Sequence, residues 1–269
     1  MAALLFVLFY IMLVSAFAHP TVRNALDDAG TPTPTPAKPS PTPCLVMPGL
    51  SENFESNTLG KFASAVATCV PGGCGWSAAS TAAQGGTYSA FAPDVGGVSD
   101  QRLQLVNAVG IPASGVTGAQ LTFWHRYNFE GSGASNYDGG VLEISTDGGG
   151  VWVDAGSHMD SGFYNGSIST FYGNPLAGRS AWVQTSPNYP FFYQSTVDLL
   201  SYAGQSVLVR FRQGDDNSGV GPGWWIDDVQ ITVNGCFHTQ LPLIDKSAAS
   251  QQRSTANPLL EVLQSWWNR

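Results

Sequence analysis

Charge is scarce in this chain. Only 11% of its 269 residues are Asp, Glu, Lys or Arg, and just three of the eleven basic residues are Lys. Ordinary globular domains carry roughly a quarter charged residues, and helical proteins cover exposed faces with Glu and Lys. The balance argues against an all-α fold. Basic charge is the scarcer sign: 19 acids leave a net charge of −8, whereas nucleic acid demands a basic face. No nucleic-acid partner is expected. Also missing are the H-E-x-x-H, G-x-S-x-G and P-loop signatures. No internal repeat of solenoid or propeller length is present. What the chain has in quantity is Gly (31), Pro (17) and 43% hydrophobic residues with 12% aromatics. That is enough apolar surface for a core, punctuated as β-proteins are.

The first 18 residues begin an uncharged apolar run that ends Ala16-Phe17-Ala18, with small residues at the −3 and −1 positions of a signal-peptidase site. They read as a signal peptide or, uncleaved, as a short membrane tether. Residues 19–43 form a linker, and Thr31 to Pro43 largely alternates Thr with Pro. Each Pro lacks an amide donor and fixes φ, so this piece is extended and semi-rigid. At the other end, 238–269 is a polar tail. Asn257-Pro258 caps a short amphipathic helix there, carrying Leu259, Leu260, Val262, Leu263, Trp266 and Trp267.

Between these lie residues 44–237, where hydrophobicity alternates with a period of two. Leu121, Phe123, His125, Tyr127 and Phe129 share one face of a strand, and Val207, Val209 and Phe211 share a face of another. In Gly223–Asn234, Trp225, Asp227, Val229, Ile231 and Val233 fall together. Gly-rich connections separate the runs. The expectation is an all-β, antiparallel β-sandwich of jelly-roll type.

Four cysteines in an extracellular chain suggest two disulfides. Cys69-Val-Pro-Gly-Gly-Cys74 has a turn-forming interior, so a local bridge is the leading choice. Cys44 and Cys236 then tie the entry of the sandwich to its exit. A four-Cys zinc site is disfavoured, since only one close pair exists.

Catalytic residue patterns are sparse, and the four His are scattered singly. Glu130 and Asp138 flank a Gly-Ser loop and form a candidate carboxylate pair for glycoside hydrolysis, or else cap and orient that loop. Ser145-Thr-Asp147-Gly-Gly149-Gly-Val-Trp152 has the form of an Asp-box and reads as a structural hairpin turn. Asp227 falls on the apolar face of its strand, where an unpaired carboxylate demands a cation. Arg210 and Arg212 are candidate partners, although both alternate away from Val209. A structural Ca²⁺ held by Glu55, Asp227, Asp94 and Asp100 is the alternative. Gly156–Tyr193 carries nine aromatics in 38 residues. Tyr164, Tyr172 and Trp182 there are candidate ligand contacts, or else members of a second small core.

Four blocks in order carry a family resemblance. Phe123–Glu130, Tyr137–Gly149 with Trp152, Asn174–Arg179 and Gly223–Val229 resemble the MAM-like jelly-roll modules of secreted bacterial proteins. Such modules accompany immune-inhibitor-A-type and fungalysin-type metallopeptidases. The resemblance implies a sandwich, often calcium-stabilised, that binds extracellular glycan or protein and does not catalyse. It matches Glu55 and Asp227 to positions where related jelly rolls keep calcium ligands. No peptidase domain is present, so protease activity does not transfer.

Overall fold

A computed structural model describes residues 44–236. The signal, linker and tail readings fall outside the described residues. Ten principal strands run in chain order: β1 (Cys44–Glu52), β2 (Phe62–Cys69), β3 (Ser89–Ala92), β4 (Ser99–Leu105), β5 (Val116–Asn128), β6 (Gly139–Ser145), β7 (Ser180–Val183), β8 (Tyr193–Asp198), β9 (Ser206–Asp215) and β10 (Gly223–Cys236). They make two antiparallel sheets. In the first the order is β8–β5–β10–β3, and β1 shares the β3 edge of β10 further along the strand. In the second it is β7–β6–β9–β4–β2. The antiparallel sandwich that the alternation predicts is the observed architecture.

The inward faces form the core. Leu121, Phe123, His125 and Tyr127 of β5 are fully buried, as are Val207, Val209 and Phe211 of β9. Phe123 meets Phe211 edge-on with ring centroids 4.9 Å apart, joining the two sheets. Burying one such side chain stabilises by roughly 1.5–3 kcal/mol, so this double layer dominates stability. His125 belongs to the core as well. Its Nε2 pairs with Ser195 Oγ at 2.8 Å, Trp224 Nε1 donates to its Nδ1 at 3.2 Å, and burial holds its pKa well down.

The alternation fails at one place. Asp227 pairs with Trp124 but Gln230 with Thr122, so β10 carries one extra residue, and Asp228 takes a left-handed φ of 47°. This β-bulge changes which face the strand presents. Trp224 and Ile226 point inward before it, and Val229, Ile231 and Val233 after it. Trp225 and Asp227 therefore lie on the outer face, contrary to the grouping expected from a strict period of two.

Both disulfides form as the cysteine spacing suggests: Cys44–Cys236 and Cys69–Cys74. Cys44 and Cys236 are register partners on β1 and β10, so the bridge joins the first strand to the last. Val141, Ile168, Leu176, Ala181 and Val183 form a second small core that takes only Tyr164 from the aromatics of Gly156–Tyr193, whereas Trp182 and Tyr193 pack on the main core and Phe163, Phe171 and Phe191 are exposed.

Candidate metal centre

Asp94 follows β3, Glu130 follows β5, Asp138 opens β6, and Asp215 closes β9 with Asp216 next to it. Two of these strands belong to each sheet, and the antiparallel order brings the four ends to one end of the sandwich. One carboxylate oxygen each from Asp94, Asp138 and Asp215 lies within 4.8 Å of the others. Glu130, Asp138 and Asp216 form a second such group. Asp138 and Asp215 have no exposed surface, and Asp94 and Asp216 are buried. The loop before β10 closes over them: a Cβ at Gly219 would stand 2.0 Å from Glu130, and one at Gly221 would stand 2.6 Å from Asp94 Oδ2. Glycine permits that approach.

Backbone and side-chain donors satisfy part of the cluster. Asp94 Oδ2 accepts from Glu130 N at 2.9 Å, and Asp138 Oδ1 accepts from Asp216 N at 2.6 Å. Asp215 accepts from Ser99 Oγ, from Gln101 Nε2 at 2.8 Å and from Gln213 Nε2 at 2.9 Å. Three oxygens remain buried with no partner: Asp94 Oδ1, Asp138 Oδ2 and Glu130 Oε2.

Electrostatics makes the deficit plain. Two carboxylates at this separation repel by roughly 3 kcal/mol at an effective dielectric of about 20. Burial, followed by the charges of Asp94, Asp215 and Asp216, drives Asp138 far above the carboxylate range. Burial and then Asp94 push Asp215 up to about 7, against the hydrogen bonds that favour its charge. Burial raises Asp94 despite amide donors from Glu130 and Gly221. Glu130 rises through burial and then through Asp216 and Asp94.

The cations of the described residues are engaged elsewhere. Among the described residues, Arg179, Arg210 and Arg212 converge on Glu143, with Nη1–Oε1 2.5 Å, Nη2–Oε2 2.5 Å and Nη1–Oε1 3.4 Å. Arg102 and Arg212 hold Asp100 at 2.6 and 2.8 Å. Lys61 Nζ donates to Ser51 O at 2.8 Å. Among the described residues, no ion pair reaches the cluster. A donor set of carboxylate oxygens alone, with no His or Cys among them, suits a hard cation with many oxygen ligands, as Ca²⁺ takes.

This cluster gathers only part of the expected ligand set. Asp94 belongs to the cluster. Asp100 does not, because two arginines neutralise it on the outer face of the second sheet. Glu55 and Asp227 do not join it either. Glu55 Oε1 accepts from Thr87 and Tyr88 amides at 2.9 and 2.8 Å. The bulge places Asp227 under the loop before β3, where its Oδ2 accepts from Gln84 N at 2.8 Å and Gly85 N at 3.3 Å, and its Oδ1 from Asp228 N at 2.8 Å. Neither Arg210 nor Arg212 pairs with it.

Glu130 and Asp138 do come together in the cluster, but a substrate oxygen has no access to fully buried Asp138. Trp182 cannot contact a ligand because it is completely buried against Phe123 and Tyr164. Tyr164 presents its hydroxyl to Leu142 N at 2.9 Å, while Tyr172 is 42% exposed beside Tyr137. Tyr164 also lines a cavity with Phe163 and Arg179, so Tyr164 and Tyr172 reach open surface and Trp182 does not. The Asp-box turn is structural, since Val151 N donates to Asp147 Oδ1 and Oδ2 at 2.9 and 3.0 Å and Trp152 Nε1 to Gly149 O at 2.9 Å.

Asp215 and Asp216 are the ligand candidates that linear spacing misses. EF-hand spacing is absent around them, and their partners lie on three other strand ends. One signal was available: each of the five acids stands where an alternating run stops or starts.

No family model and no curated protein matches the chain, so the likeness to MAM-like modules rests on the four sequence blocks alone. Among solved structures, the chain is similar to TmCBM61 in complex with beta-1,4-galactotriose, at 11% identity over 66% of this chain and 92% of that one, with a TM-score of 0.40. The K3 cleaved adhesin domain of Lys-gingipain from Porphyromonas gingivalis gives 18% identity over 70% and 98%, with a TM-score of 0.42. The CBM22-1 xylan-binding domain of Paenibacillus barcinonensis Xyn10C gives 14% over 70% and 94%, with a TM-score of 0.38. Similarity at this level says nothing of ligand or activity, and the two sheets themselves establish the fold.

Proposed function

We propose that this chain is an extracellular, non-catalytic binding module of the MAM-like kind, whose loop end is ordered by Ca²⁺. Five carboxylates with no cationic partner among the described residues carry the calcium reading. Asp94, Asp138 and Asp215 would hold the ion, with Glu130 and Asp216 beside it. Because the ligands come from both sheets, the ion would clamp the sandwich at one end. The full burial of Asp138 favours binding over hydrolysis. Two disulfides and the leader-like first 18 residues support an extracellular setting.

Isothermal titration of EDTA-treated, dialysed protein with CaCl₂ tests the metal. The expected result is saturable binding, with a melting temperature that rises by about 5–10 °C at a hundredfold excess over Kd. Absence of binding, with a melt that EDTA leaves unmoved, would overturn the calcium reading. Turnover of a polysaccharide panel that Glu130→Gln abolishes would overturn the non-catalytic one.

A further inference from the structure

A second uncompensated charge lies on the outer face of the first sheet. Arg126 is the one arginine among the described residues without a carboxylate partner. Its Nη1 donates to Pro190 O at 2.7 Å, and its buried Nε has no partner. Aromatic rings surround the guanidinium, with its carbon 4.4 Å from the Trp225 ring centroid, 5.5 Å from Phe192 and 5.6 Å from Tyr189. Such a setting strips water from the cation without neutralising it, and burial accordingly lowers its pKa.

Arg126 lines a groove of about 480 Å³ between the loop before β3 and the one before β8, shared with Thr81, Gln84, Trp124, Phe191 and Phe192. Trp124 and Arg126 alternate onto the same face of β5, one pleat apart. Phe191 is 73% exposed on the opposite wall. The larger cavity beside Tyr164 lacks this chemistry, because Glu143 and Asp154 already hold its arginine, Arg179, each at 2.5 Å.

We infer that the Arg126 groove binds a uronic acid residue of a glycan, its ring lying on Trp124 and its carboxylate meeting the guanidinium. A pyranose presents a flat C–H face to an aromatic ring, and in a uronic acid the carboxylate is attached directly to that ring. Both halves of the groove are then engaged by one residue. An acidic peptide offers the charge but no flat face for Trp124. The net charge of −8 repels an extended polyanion, so the groove favours an isolated or terminal acidic sugar on an otherwise neutral glycan. This inference rests on the binding-module reading and gives it a ligand class.

The test uses calcium-saturated full-length protein, titrated by calorimetry with cellobiouronic acid against cellobiose, and with methyl galacturonide against methyl galactoside. A Gly-Glu-Gly peptide is the third arm. At least one acidic sugar is expected to bind tenfold or more tighter than its neutral counterpart and than the peptide. Arg126→Gln should erase that preference, Arg126→Lys should keep part of it, and Trp124→Ala should weaken acidic and neutral sugars alike. Melting curves for each variant verify folding. Equal affinity for acidic and neutral sugars overturns the inference, as does a preference that survives Arg126→Gln, tighter binding of the peptide, or no binding of any probe. Equal binding of neutral sugars leaves the binding-module reading standing while the uronic-acid inference falls, so the two readings fail separately.

Discussion

Asp94 and Asp138 approach one another from opposite sheets, and each keeps a buried carboxylate oxygen without a hydrogen-bond partner. Their proximity is costly unless a cation intervenes. Asp138→Asn should therefore have effects of opposite sign in two conditions. Without metal the neutral amide avoids the cost of protonating a buried carboxylate on folding and raises the melting temperature. With saturating Ca²⁺ it removes a ligand and lowers that temperature below wild type. Scanning calorimetry with and without EDTA reads both, and a shift of the same sign in each condition would refute the cation site.

The pH dependence of the metal-free protein follows from the same residues. Asp215 is raised to about 7, and Asp138 lies well above the carboxylate range, so the folded chain binds more protons than the unfolded one. Their stabilising protonation is complete below about pH 4 and is lost as pH climbs through 7 and beyond, at up to about 1.4 kcal/mol per pH unit per proton. The EDTA-treated protein should melt lower at pH 8 than at pH 5. Saturating Ca²⁺ should cancel the difference, because binding expels those protons. Thermal melts across this range with and without calcium provide the measurement.

Glu143 is the anion on which the outer face of the second sheet converges. Its burial would raise its pKa, but Arg179 and Arg210 outweigh that and hold it down. Glu143→Gln leaves three guanidinium groups around a neutral amide. The expected loss is about 3 kcal/mol, as for breaking a buried ion pair by removing one partner. In a domain of this size that is a fall of about 6–12 °C. Differential scanning fluorimetry at pH 7 checks it.

Gly140 on β6 lies against the Trp224 ring of the facing sheet, and an added Cβ would stand 2.3 Å from it. Gly140→Ala should cost about 1–3 kcal/mol through overpacking. Trp224→Phe in the same chain should recover part of the loss, making the pair non-additive in a double-mutant cycle of urea denaturation.

The alternation of β5 and β9 was legible because a half-buried strand must place every second side chain in the core, and no neighbour alters that requirement. The cysteine pairing was legible for a similar reason, since the interior of Cys69–Cys74 builds its own turn. The face of β10 was not. A single inserted residue at Asp227-Asp228 reverses the alternation, and nothing in Trp-Trp-Ile-Asp-Asp-Val marks where the bulge falls.

The low charge seen first in the sequence determined the class of this protein: few ions, many turns and an apolar double layer. Which ions stand alone was decided only by the tertiary structure. Asp100 and Asp94 look alike in the chain, yet one meets Arg102 and Arg212 while the other meets Asp138 and Asp215. Arg126 differs from Arg210 in the same way. Periodicity is a property of consecutive residues, whereas neutralisation depends on which distant strand ends meet, and chain order alone does not specify that meeting.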